Sequence, residues 1–473
     1  MSLSRRSFLT RAAATTSAFA VLPLLSGCGR AETGAYLNEV EGYGPLRRDS
    51  RGLVDLPRGF SYEVLSQTGD SMSDGLLVPG DPDGMAAFAG RDGLIRLVRN
   101  HELMPDEPAK SAFGENGERF ARVDASRVFD FTADGQPHPG GTTTLIINPD
   151  RLRVERQFLS LAGTANNCAG GPTPWGSWIS CEETLLQAGE LARYDHGYPF
   201  EVRADADGLV DPVPLRGLGR FRHEAAAVDP ATGIVYQTED DEPGLFYRFI
   251  PDHPGELWRG GRLQALAIRG RPGADLRNWP ESANPVGVGS RLEVHWVDLE
   301  DIHNPDGDLA ARGIAAGAAR FTRGEGLWFG ESELYFCCTD GGPARLGQIW
   351  RYRPSRFEGY AQERSEAGLL ELFVESTDAR RLDKCDNITI APWGDLIVVE
   401  DGESDQFIRG VTPQGHIYTI GRNAQSDADG EYSEITGPCF SPDGTTLFFN
   451  VQKAPGRTFA VRGPWPQRSL ASA

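Results

Sequence analysis

The segment 167–183, Asn-Cys-Ala-Gly-Gly-Pro-Thr-Pro-Trp-Gly-Ser-Trp-Ile-Ser-Cys-Glu-Glu, begins with a thiol and ends on two carboxylates. Similar acidic ends recur along the chain at one spacing. Cys168 to Glu183, Glu224 to Glu239, Glu325 to Asp340 and Asp386 to Asp401 are each 15 residues apart. Thiolates and carboxylates gathered at one place make a metal site. Hard oxygens suit Ca²⁺, and a thiolate beside them suits a transition ion better. Without cations such carboxylates repel one another, and their pKa values rise. Any one of these acids, taken alone, is also an ordinary strand-end or turn residue.

The elements that must position them are hairpins. Segments 167–183, 223–241, 324–342, 386–402 and 436–452 each read as strand, Gly-containing turn, strand, and 84–102 is a weaker example that comes first. Residues equidistant from a hairpin turn lie opposite each other, so each 15-residue step brings its two ends together, away from the turn. Further strands are expected at 142–161, 244–252, 291–299 and 348–354. About six such units with irregular insertions predict an all-β fold, a six-bladed β-propeller over 51–465 whose hairpin ends converge at one mouth of a central channel.

The first 27 residues read as an export signal. Ser4-Arg5-Arg6-Ser7-Phe8-Leu9 is a twin-arginine pattern, and Leu25-Ser26-Gly27-Cys28 is a lipobox that makes Cys28 the expected lipidation site. Residues 28–50 then form a tether. The protein is expected to be exported folded and held at the membrane by a lipid, facing the periplasm or cell surface, as a monomer.

The net charge is −20, and loss of a signal that carries Arg5, Arg6, Arg11 and no acid makes the mature chain more negative still. That argues against nucleic acid as a partner. Only Lys110, Lys384 and Lys453 are lysines among 47 basic residues, so an isolated arginine says little by itself. Six cysteines remain after Cys28, with no Cys-x-x-Cys pair, and Cys168 could equally form a disulfide with Cys181, Cys385 or Cys439. His101 and His223 read as structural. No Gly-x-Ser-x-Gly motif is present.

The 167–183 segment, together with Arg-Phe-Arg-His-Glu-Ala-Ala-Ala-Val-Asp-Pro (220–230) and Phe-Thr-Arg-Gly-Glu-Gly-Leu-Trp-Phe (321–329), closely resembles the PhoX-type alkaline phosphatases, twin-arginine-exported six-bladed propellers. The resemblance implies an Fe³⁺ and Ca²⁺ cluster at the channel mouth and hydrolysis of a small phosphomonoester, with no serine nucleophile. It implies Cys168 as the thiolate iron ligand, Glu183 as an iron carboxylate, Glu224 and Glu325 as further metal ligands, and Arg323 as the contact to substrate phosphate. For calcium it suggests Glu239, Asp241, Asp386 and Asn387, with Glu102, Asp340 and Asp401 in reserve. The chain departs from the family in reading Arg-Gly-Glu where Arg-Pro-Glu-Trp is usual, and in being shorter. Two other functions fit a cation-binding propeller: a calcium-dependent lactonase or esterase, since 386–402 also resembles gluconolactonase-type blades, and a non-catalytic surface protein.

Overall fold

Short runs of Val, Ile, Leu and Phe broken by Gly- and Asp-containing turns leave little scope for long helices. The computed structural model describes residues 36–426, 432–453 and 455–466. Over these the chain is all-β with a propeller-like arrangement, and the one α-helix among them is the seven-residue Leu309–Ala315. The twin-arginine pattern, the lipobox and Cys28 lie outside the described residues.

All six expected hairpins form. We label their strands β1 (Pro82–Ala89) and β2 (Ile95–His101), β3 (Asn167–Pro172) and β4 (Ser177–Glu182), β5 (His223–Val228) and β6 (Val235–Glu239), β7 (Gly324–Phe329) and β8 (Leu334–Cys338), β9 (Cys385–Ile390) and β10 (Leu396–Glu400), and β11 (Ile435–Phe440) and β12 (Leu447–Val451). The further strands also form, as Gly140–Asn148 with Arg153–Thr164, Phe246–Pro251, Arg291–Asp298 and Gln348–Arg353.

Hydrogen bonding groups the strands into five sheets. The number is five because Arg291–Asp298 pairs with Gly261–Ile268 on one side and Leu369–Glu375 on the other, fusing two sheets into one of nine strands. The first strands of the hairpins are successive neighbours, β1 beside β3, then β5, β7, β9 and β11, and β11 returns to β1. They approach closely enough to demand small residues. A Cβ on Gly171 would lie 1.8 Å from the Ala226 carbonyl oxygen, and one on Gly326 would lie 2.6 Å from the Asn387 Cα. A narrow cavity of about 20 Å³ is lined by residues of all six first strands, among them Gly84, Gly170, Ala225, Gly326, Asn387 and Gly437.

The two ends of the described chain pair into the sheets. Ser61–Gln67 pairs antiparallel with Arg457–Arg462, and Val54–Asp55 extends the sheet of β9 and β10. Residues read as tether are packed from 36 onward: Tyr36 meets Phe407 edge-on, and Tyr43 packs on Phe60, Tyr418 and Trp465. Aromatic bodies of this size bury well, which explains why the segment lies down.

Candidate metal centre

Each hairpin carries a β-bulge at the same place on its first strand. Pairing skips from Pro82 to Met85, Asn167 to Gly170, His223 to Ala226, Gly324 to Leu327, Cys385 to Ile388 and Thr436 to Cys439, each time against a step of two on the second strand. A bulge leaves an extra residue unpaired and re-aims its side chain. The first bulged residues are Asp83, Cys168, Glu224, Glu325, Asp386 and Gly437. Five of the six bear metal-ligand side chains.

The freed backbone is held by side chains of the preceding hairpin. Asn100 Nδ2 donates to the Cys168 carbonyl at 3.0 Å, Thr238 Oγ1 to the Glu325 carbonyl at 2.7 Å, and Asn450 Nδ2 to the Asp83 carbonyl at 2.7 Å, the last closing the circle. Asn100 is itself fixed, because its Oδ1 accepts from Trp178 Nε1 and Ser180 Oγ at 2.8 and 2.9 Å.

These bulges bring together three overlapping groups whose ligand atoms lie within 4.8 Å of one another: Asp83, Glu102 and Cys168; Cys168, Glu183 and Glu224; and Glu224, Glu325 and Asp386. Cys168, Glu183, Glu224, Glu325 and Asp386, all singled out in the sequence, are therefore neighbours. Asn387 supports them, with its Nδ2 3.1 Å from Asp386 Oδ1 and its Oδ1 accepting from the Gly437 N–H at 2.7 Å. Glu102 joins the first group, and Gln452 Nε2 donates to both Asp83 and Glu102 at 2.9 and 2.7 Å. Glu183 is steadied by Asn166 Nδ2, which donates to its Oε2 at 3.1 Å.

Other expected ligands are placed elsewhere. The bulge puts Glu239 opposite His223, so the 15-residue step does not pair it with Glu224. The Glu239 carboxylate instead accepts from the Leu245 N–H and the Tyr247 hydroxyl at 2.9 and 2.7 Å. Asp241 is half exposed, 3.7 Å from Arg222. Asp340 lies outside the three groups, its carbonyl accepting from Trp279 Nε1. Asp401 is close enough to push the Glu325 and Asp386 carboxyls upward. Two residues were missed. Asp83 sits in Pro82-Asp83-Gly84, a sequence that also encodes a turn, although Asp83-Gly84 matches Glu325-Gly326 in the same hairpin position. Asp240 falls between the two acids chosen from its run.

The electrostatics favour a cation or protonation of the acids. Burial first, then the neighbouring Glu325, Glu183, Asp386 and Asp83, hold the Glu224 carboxyl well above its ordinary range, and both its oxygens are buried without a hydrogen-bond partner among the described residues. Asp83 Oδ1 is likewise unpartnered. Burial and the surrounding acids also push the Cys168 thiol up, and all six described cysteines are free. Orphaned buried carboxylates are costly, and metal coordination is the standard way such groups are satisfied. The donor set fits: a thiolate for a soft or borderline ion, carboxylates for hard ones.

Arg323 borders the groups. Its guanidinium donates to Glu325 Oε1 at 2.8 Å and from Nε to Asp240 Oδ1 at 3.1 Å, leaving it one-third exposed. Its backbone is left-handed, φ 41°, held by N–H donation to the Asp241 carbonyl and by acceptance from the Thr339 N–H, both at 3.0 Å. Strain of this kind persists where the surroundings over-determine it, commonly at functional sites.

Residues 41–456 match the family model described as alkaline phosphatase PhoX. Among solved structures, Pseudomonas fluorescens PhoX in complex with vanadate, a transition state analogue, is similar at 17% identity and a TM-score of 0.63, over 87% of this chain and 96% of that one. A gluconolactonase from Xanthomonas campestris aligns at 12% identity and a TM-score of 0.37, over 85% and 98% of the two chains. Virginiamycin B lyase from Staphylococcus aureus aligns at 14% and 0.36, over 85% and 99%. A search of curated protein sequences gives no match.

Proposed function

The chain belongs to the alkaline phosphatase PhoX family, and we propose on that premise that it hydrolyses small phosphomonoesters at an iron–calcium centre at the mouth of a six-bladed propeller. The observation that carries the reading is the convergence of Cys168 with six buried or half-buried carboxylates, one of them, Glu224, with both oxygens unsatisfied among the described residues. The blade count takes the nine-stranded sheet as two blades bridged through Arg291–Asp298, so that each hairpin founds one blade.

Cys168, Glu183 and Glu224 would hold iron, and Glu325, Asp386, Asp83 and Glu102 would hold calcium. Bound cations supply charge neutralisation for the phosphoryl group and activation of the attacking oxygen. The protein's own part is orientation. Asp240 and Glu325 hold the Nε and Nη2 edge of Arg323 and keep its fork from rotating away, so the partly exposed guanidinium would meet phosphate through its Nη1 end. Asn100, Thr238 and Asn450 fix the bulge carbonyls, so the ligand side chains are preorganised. We further propose twin-arginine export, lipidation at Cys28 and a monomer anchored to the membrane, on the sequence pattern alone.

The test is release of phosphate from p-nitrophenyl phosphate by protein exported in its native manner, before and after chelation, with elemental analysis. Iron and calcium together with chelator-sensitive turnover support the proposal. Calcium alone, or turnover of lactones that survives Cys168→Ala, overturns it.

A further inference from the structure

A second cluster lies apart from the three groups just described. Asp130, His138 and His196 are fully buried, and one ligand atom from each lies within 4.8 Å of the others. His138 Nε2 lies 2.8 Å from the Leu191 carbonyl, while His138 Nδ1 is buried with no hydrogen-bond partner among the described residues. His196 Nδ1 lies 2.6 Å from Glu182 Oε1, and its Nε2 lies 3.1 Å from Asp130 Oδ2.

We propose that Asp130, His138 and His196 form a second metal site that takes a divalent first-row transition ion, with Zn²⁺ the best match. Two imidazole nitrogens and a carboxylate are zinc donors rather than calcium donors. Each imidazole has its other nitrogen anchored, one on a carboxylate and one on a backbone carbonyl, which is the usual support of a metal-bound histidine. Ligands of a tetrahedral zinc at roughly 2.0–2.1 Å stand about 3.3 Å apart, close to the His196–Asp130 separation. The rival arrangement is an imidazolium at His196 held between Asp130 and Glu182. It leaves the His138 lone pair buried, unpaired and in a ring stacked 4.9 Å from a cation. A metal would satisfy that atom. It would also join two irregular stretches, 129–138 and 184–199, the second of which directly follows Glu183.

The experiment uses the full chain as purified with its own metals, dialysed against Zn²⁺ alone. It reads zinc content and the zinc X-ray absorption edge, for wild type and His138→Phe. The expected result is one zinc equivalent with a nitrogen and oxygen shell, lost in His138→Phe while iron and calcium content stay unchanged. Sulfur in the first shell, equal zinc in both proteins, or no zinc in wild type overturns the site. The wild-type edge decides the matter even where the variant fails to fold.

Discussion

Both Glu224 oxygens are buried without a hydrogen-bond partner among the described residues, and its acidic neighbours oppose its charge. Glu224→Gln is therefore expected to act in opposite directions on two readouts. Thermal unfolding of the stripped protein at neutral pH should move up, because the cost of burying an acid whose pKa is raised is gone. Phosphatase activity of the loaded protein should fall by at least ~10²-fold, since a ligand is gone as well. Arg323→Lys should keep the positive charge but lose the planar fork, costing ~10²–10³ in kcat/KM on p-nitrophenyl phosphate. Of this centre, Cys168, Glu183, Glu224, Glu325 and Asp386 were legible because a thiol and acids at hairpin ends are unusual together. Asp83 was not, because Pro-Asp-Gly also encodes a turn, and Asp240 was not, because which acid of Glu239-Asp240-Asp241 faces inward depends on the local register.

The bulge sets that register. Counting from the turn places hairpin ends correctly only while the ladder is unbroken, and each first strand breaks it at its bulge, in five of the six at a ligand residue. The hairpins, their turns and the outer strands could be read from alternation and turn chemistry. The extra residue left only an indirect mark, the small residue that follows in Gly84, Ala169, Ala225 and Gly326. Packing at these strands is unforgiving, so Gly171→Ala should destabilise by ~3 kcal/mol or more in urea unfolding, with the Ala226 carbonyl unable to retreat. Asn100→Ala, which frees the Cys168 carbonyl and orphans Trp178 Nε1, should cost ~2–3 kcal/mol and lower iron content. A different element controls part of the pH response. Burial raises the Glu358 carboxyl from 4.5 to about 7 despite the Arg248 guanidinium 2.6 Å away. Between those values the folded state holds more protons than the unfolded one, so stability should fall as pH rises from 4.5 through 7. In Glu358→Gln that part of the slope in the urea midpoint should vanish.

At the scale of the molecule, closure is the main device. The strand Ser61–Gln67 completes the sheet begun by β11 and β12, so both ends of the described chain are tied into one circuit. Stripping the metals should lower the unfolding midpoint without splitting the transition, because no hairpin can leave the circuit alone. Each site held at 100 times its Kd contributes about 2.7 kcal/mol that chelation removes, measurable by calorimetry. The repeated bulge also has an evolutionary meaning. One backbone presents its ligand position six times, with the supporting clamp on the neighbour, so a donor can be exchanged one hairpin at a time while the scaffold stays folded. Only Gly437, at φ 59° with the Asp83 carbonyl 2.6 Å from where its Cβ would stand, is closed to such exchange. Diversification of the centre is thereby channelled into five positions, and relatives that handle other anions should differ there before they differ in the sheets.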